Sequence, residues 1–121
     1  MPQSINFEYQ VRKCACGHDY MAVVTTSNTL YFLYEAQFYR IHNMVDILDI
    51  ATSQNTLTAV STSGEVYVWD FDYDKVIQGM INYTKVKLGL DEGDCIRRVE
   101  MGANDIFLLS EEGKLYHFRR N

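Results

Sequence analysis

Three windows of the chain align with one another without gaps. Repetition constrains the fold more than any other feature, because each unit must bury its apolar face against a neighbour. Val11 to Leu33 reads VRKCACGHDYMAVVTTSNTLYFL, Ile47 to Trp69 reads ILDIATSQNTLTAVSTSGEVYVW, and Ile96 to Phe118 reads IRRVEMGANDIFLLSEEGKLYHF. Their starts lie 36 and then 49 residues apart. Eight of the 23 columns are apolar in every copy, among them Cys14/Ile50/Val99, Val24/Val60/Leu109, Tyr31/Tyr67/Tyr116 and Leu33/Trp69/Phe118. At 47% hydrophobic residues, unrelated windows would agree in roughly two or three columns.

Each copy predicts a hairpin. Tyr20–Thr26, Thr56–Thr62 and Asp105–Glu111 are rich in Val, Leu, Ile, Phe and Thr and end at Ser27-Asn28, Ser63-Gly64 and Glu112-Gly113. Asn and Gly tolerate the positive φ of tight turns, and a second strand follows as Thr29–Tyr34, Glu65–Trp69 and Lys114–Phe118. Val23-Val24, Ala59-Val60 and Leu108-Leu109 put apolar groups on both faces, as sheets covered on two sides require. Alternation in Gln37–His42 and Thr84–Leu88 predicts a further strand for the first two copies. The third copy has no room for one, and Ile5, Phe7 and Tyr9 could supply it from residues 4–10.

The fold class expected is all-β: about three four-stranded blades of a β-propeller in one domain, spanning about 11–46, 47–95 and 96–121. A β-sandwich also buries sheets on two sides, but gives no reason for one hairpin unit to repeat. Closed propellers typically need about four to eight blades, so the arc is expected to be incomplete and to be completed by self-association or by a partner.

These residues resemble the regulator of chromosome condensation repeats. The likeness rests on Cys14-Ala15-Cys16-Gly17 with Met21-Ala22-Val23-Val24, on Ile50-Ala51 with Leu57-Thr58-Ala59-Val60 and Ser63-Gly64-Glu65-Val66-Tyr67-Val68-Trp69, and on Met101-Gly102 with Gly113-Lys114-Leu115-Tyr116. It extends over 69 of 121 residues. The resemblance implies blades of a seven-bladed propeller, and it raises small-GTPase regulation by nucleotide exchange as an alternative function. No residue matches an exchange motif, so none is carried over.

Composition narrows the function classes. Eleven Lys and Arg against sixteen Asp and Glu give a net charge of −5, whereas nucleic-acid modules usually present a basic face. Nucleic acid is therefore disfavoured, and a nucleic-acid or ribosome-associated factor stays an alternative only through Arg97, Arg98, Arg119 and Arg120. Cys14, Cys16 and Cys95 form no even-numbered disulfide framework, and Met1 to Gln10 lacks a secretory signal's basic and apolar segments. No apolar run reaches the roughly 18–20 residues of a membrane helix. The expectation is an intracellular protein, cytoplasmic or nuclear, with no membrane partner.

Motifs for chemistry are sparse. Cys14, Cys16 and His18 alternate as metal ligands on one strand face would, but the spacing suits zinc poorly and Cys14 occupies a column filled by Ile50 and Val99. No metal or cofactor is assigned. Asp70, Asp72 and Asp74 open like a calcium loop, but Lys75 and Ile81 stand where Gly and Glu are needed. Neither a nucleophile elbow nor a phosphate loop occurs, and no catalytic residue is assigned.

What remains is contact surface. The second spacer, residues 70–95, is 13 residues longer than the first, residues 34–46. Insertions in repeat folds gather on exposed faces. Asp70, Asp72, Tyr73, Asp74, Ile77, Met80 and Ile81 are therefore partner-binding candidates, as are Tyr34, Phe38 and Tyr39, which lie outside the aligned columns. The chain is read as a non-enzymatic protein–protein interaction module, a small subunit of a larger complex.

Overall fold

The alternating, β-branched segments form strands throughout. The computed structural model describes residues 5, 7–41, 46–70, 83–90 and 92–119. Asp72, Tyr73, Asp74, Ile77, Met80 and Ile81, with His42 and Arg120, lie outside them. The described residues contain eleven strands and no helix. β1 (Val11–Cys16), β2 (Met21–Thr25), β3 (Leu30–Tyr34) and β4 (Gln37–Arg40) form one antiparallel sheet in chain order. A second comprises β5 (Ile47–Ser53), β6 (Thr56–Ser61), β7 (Val66–Asp70) and β8 (Tyr83–Val86). The third has three strands, β9 (Ile96–Met101), β10 (Asp105–Ser110) and β11 (Leu115–Arg119).

One turn recurs in all three blades. Asn28 N donates to Thr25 O at 2.9 Å, Gly64 N to Ser61 O at 3.0 Å and Gly113 N to Ser110 O at 3.0 Å. Each turn then places Asn28, Gly64 or Gly113 at positive φ, 66°, 88° and 85°, to fit the twist of the flanking strands. The hydroxyl before each turn accepts from the backbone beyond it: Thr29 N to Thr25 Oγ1 at 3.1 Å, Glu65 N to Ser61 Oγ at 3.0 Å and Lys114 N to Ser110 Oγ at 3.1 Å. These hydroxyl residues are buried, so each stays satisfied without water.

Register sorts side chains between two faces, because directly paired residues share a face. The forward face of the first sheet carries Ala22, Val24, Leu30 and Phe32, and it packs on Ile50, Leu57, Ala59, Tyr67 and Trp69 of the second. The forward face of the second sheet, with Ala51, Val60, Val66 and Val68, packs on Val99, Ile106 and Leu108 of the third. Phe32 and Trp69 meet edge to face at 6.2 Å in the first interface. The core thus lies between sheets, as radial stacking of blades demands.

Two expectations are corrected. Phe7 and Tyr9 do not close the third sheet: Phe7 stacks on Phe38 at 4.2 Å and meets Tyr31 at 5.1 Å, and Tyr9 stacks on Tyr31 at 5.8 Å. The segment covers the rear of the first sheet, where these rings find an apolar surface. Cys14 is exposed although its column is buried in the other copies, because Ile50 and Val99 have a blade behind them and Cys14 has none.

Candidate interaction faces

The forward face of the third sheet is open. Its rows are Arg98–Leu109–Leu115 and Glu100–Phe107–His117, read across β9, β10 and β11. Corresponding positions in the other blades are sealed. Leu30 and Val66 are 1% and 0% exposed where Leu115 is 70% exposed. Val24 and Val60 are fully buried where Leu109 is 37% exposed. Arg98, Val99, Glu100, Phe107, Leu109 and Leu115 line a shallow groove there, with apolar side chains at its centre and charge at its margin. His117 stacks on Phe107 at 4.7 Å and its Nε2 lies 2.7 Å from Asp105 Oδ1, which orders that margin.

Polar side chains in the third column cross between blades. Lys13 on β1 pairs with Asp49 on β5. The other Asp49 oxygen, Oδ2, accepts a hydrogen bond from Val99 N on β9 at 2.8 Å. Asp49 is buried, and these two partners are what make a carboxylate tolerable there. Arg98 is the equivalent residue of the third blade and has no hydrogen-bond or ion-pair partner among the described residues.

The sequence-derived candidates fall in different places. Tyr34 and Tyr39 pack against the core between the first two sheets, and Tyr39 donates from its hydroxyl to Gln37 Oε1 at 2.8 Å. Phe38 lies on the opposite, rear face beneath Phe7. Asp70 ends β7 exposed and accepts from Thr56 Oγ1 at 3.1 Å. The structure therefore does not gather the described candidates into one surface. Cys14 and Cys16 are exposed on the rear face, and His18 lies in the following loop 3.5 Å from Asp19. No group of three or more His, Cys, Asp or Glu close enough to hold a metal occurs among the described residues.

The open forward face is hidden in the sequence because Leu109 and Leu115 occupy columns that are apolar in every copy. A partial signal was present: Glu100 stands where the other copies have Ala15 and Ala51, and His117 where they have Phe32 and Val68. Such changes mark a face whose surroundings differ from those of its equivalents.

Elsewhere charge is locally neutralised. Lys85 pairs with Glu65 across the second sheet, and its hydrogen bond holds the Glu65 carboxyl below its ordinary value. Glu111 accepts from Cys95 Sγ at 3.3 Å, which raises the thiol above its ordinary value and leaves it a poor nucleophile. Arg97 donates to Thr62 O at 3.2 Å and pairs with Glu111, so it points away from the face that holds Arg98.

Solved structures share this arrangement. Human WBSCR16 superposes with a TM-score of 0.75 at 17% identity, over 94% of this chain and 34% of that one. Yeast RCC1 (Prp20), in a complex with Kap60, gives 0.68 at 17% identity, over 91% and 32%. The β-propeller domain of Myceliophteria thermophila Cps50 (Swd1) gives 0.61 at 12% identity, over 85% and 37%. The chain spans about a third of the length of each of these structures. No family model matches it, and no curated protein matches its sequence. No helix among the described residues is long and apolar enough to cross a membrane. Blade stacking and these likenesses together establish an all-β, propeller-type fold.

Proposed function

We propose that this chain is a non-enzymatic protein–protein interaction module, acting as a small subunit of a larger assembly. The observation that carries the reading is the open forward face of the third sheet, with Leu115 70% exposed in a column otherwise sealed between blades. Apolar surface of this kind, ringed by charge, ordinarily marks an interface. Asp70 and the residues 72–81 that follow remain candidates for a second contact. Affinity purification of the tagged chain beside its Leu115→Asp variant tests the reading. A stoichiometric partner recovered by the parent and lost by the variant is expected. A chain that recovers no partner and sediments as a monomer without dye-accessible apolar surface would overturn it.

A further inference from the structure

We infer that the forward face of the third sheet receives one further propeller blade, foreign to residues 1–121, whose first strand presents a carboxylate to Arg98. The inference rests on the interaction-module reading and specifies its partner. Three observations carry it. First, the face is the third member of a series whose first two members are both covered by a blade, at Leu30 and Val66 where this one has Leu115. Second, the third column alternates in sign as Lys13, Asp49 and Arg98, and its first two members each reach across to the first strand of the next blade, β5 and β9. A carboxylate continues that series as Asp49 answers Lys13. Third, the turn residue lies against the following blade in both sealed interfaces. Asn28 O accepts from Ile47 N at 2.9 Å, and a Cβ on Gly64 would stand 2.5 Å from Cys95 Cβ. The third equivalent, Gly113, has nothing within 4 Å of such a Cβ, so the same approach is open there.

A second copy of this chain fits poorly. Its first blade would bring Lys13 toward Arg98, and its rear face is already occupied by Phe7 and Tyr9. The blade sought has instead the character of this chain's own second blade, with Asp49 on its first strand and Ile50, Leu57 and Trp69 on its rear face.

That blade supplies the probe. A tandem chain is made in which Met1–Phe118 is followed directly by a second copy of residues 34–121, which preserves the repeat because Phe118 and Leu33 share a column. The appended second blade should stack on the third and unfold cooperatively with it. Arg98→Glu, placed against the appended Asp49, should lower the unfolding midpoint of the tandem by several degrees and leave that of the unextended chain unchanged. Asp49→Lys in the appended copy, alone and combined with Arg98→Glu, completes a double-mutant cycle in which the combination recovers part of the loss. Appended blades that stay unfolded, or that show no coupling to Arg98, overturn the inference, as does an unextended chain whose dimer dissociates on Arg98→Glu. Partner recovery by affinity without coupling in the tandem leaves the interaction reading standing and removes only this one. Coupling in the tandem with no partner recovered overturns the interaction reading, and with it the identity of the occupant as a partner's blade, while the fit of a blade to this face stands.

Discussion

The two outer faces of the stack are built from equivalent strands yet end differently. Behind the first sheet, Phe7 and Tyr9 lie on Tyr31 and Phe38, and Val23 in the same row as Tyr31 is only 2% exposed. In front of the third sheet, Phe107, Leu109 and Leu115 face outward with Arg98 and Glu100 beside them. An apolar row is neutral about its covering: aromatic side chains from a short segment serve as well as a sheet, provided water is excluded. The difference teaches that one end is sealed by a local cover, while the other leaves its apolar row facing solvent.

Four tests would break or sharpen this contrast. The largest effect is expected inside the stack: Trp69 is fully buried between the first two sheets, and Trp69→Ala should cost about 3–5 kcal/mol in denaturant unfolding. Loss below about 1 kcal/mol would mean that the blades do not depend on stacking. Next come the two turn glycines. Gly64→Ala adds a clash with Cys95 to the strain of positive φ, about 2–4 kcal/mol together, whereas Gly113→Ala carries the strain alone, about 1–2 kcal/mol. Equal losses would show that the two turns have the same surroundings.

Third, Phe7→Ala removes ring contacts with Tyr9, Tyr31 and Phe38 and should cost about 1 kcal/mol, while Leu115→Ala should stay within about 0.5 kcal/mol because its side chain already meets solvent. A larger loss at Leu115 than at Phe7 would reverse the assignment of covered and open ends. The smallest effect is electrostatic. The Lys85 hydrogen bond depresses the Glu65 carboxyl below 4.5, so its contribution is present above that pH and is lost as pH falls through the lower folded value. Lys85→Met should flatten the acid limb of stability below about pH 4.5 and leave neutral stability nearly unchanged, because both groups are solvated. An unaltered acid limb would assign that dependence to other carboxylates.

Much of the fold was legible because repetition reports itself. Asn28, Gly64 and Gly113 marked the hairpins, and β4 and β8 lie within two residues of where alternation put them, at Gln37–Arg40 and Tyr83–Val86. The shared hydroxyl of Thr25, Ser61 and Ser110 was also visible in the aligned windows, but its bonds to the backbone follow from turn geometry that spacing does not convey. The candidate site was less legible. Tyr34 and Tyr39 suit an interface by lying outside the shared columns, yet they pack on the core because β4 pairs with β3 and turns them inward. The sequence presents Arg98 only as part of a basic cluster, since alternation along β9 separates it from Arg97 without saying which of the two faces is open.

The chain alone determined strand, turn and repeat, because these depend on period-two patterning and on residues that tolerate positive φ within a few positions of one another. Which apolar faces are sealed was decided only by the stacking of sheets. Leu30, Val66 and Leu115 occupy one column and carry nearly the same side chain, yet they are 1%, 0% and 70% exposed. Burial belongs to what lies opposite a residue, and the opposite surface comes from a distant segment for the first two and from nothing within the described residues for the third.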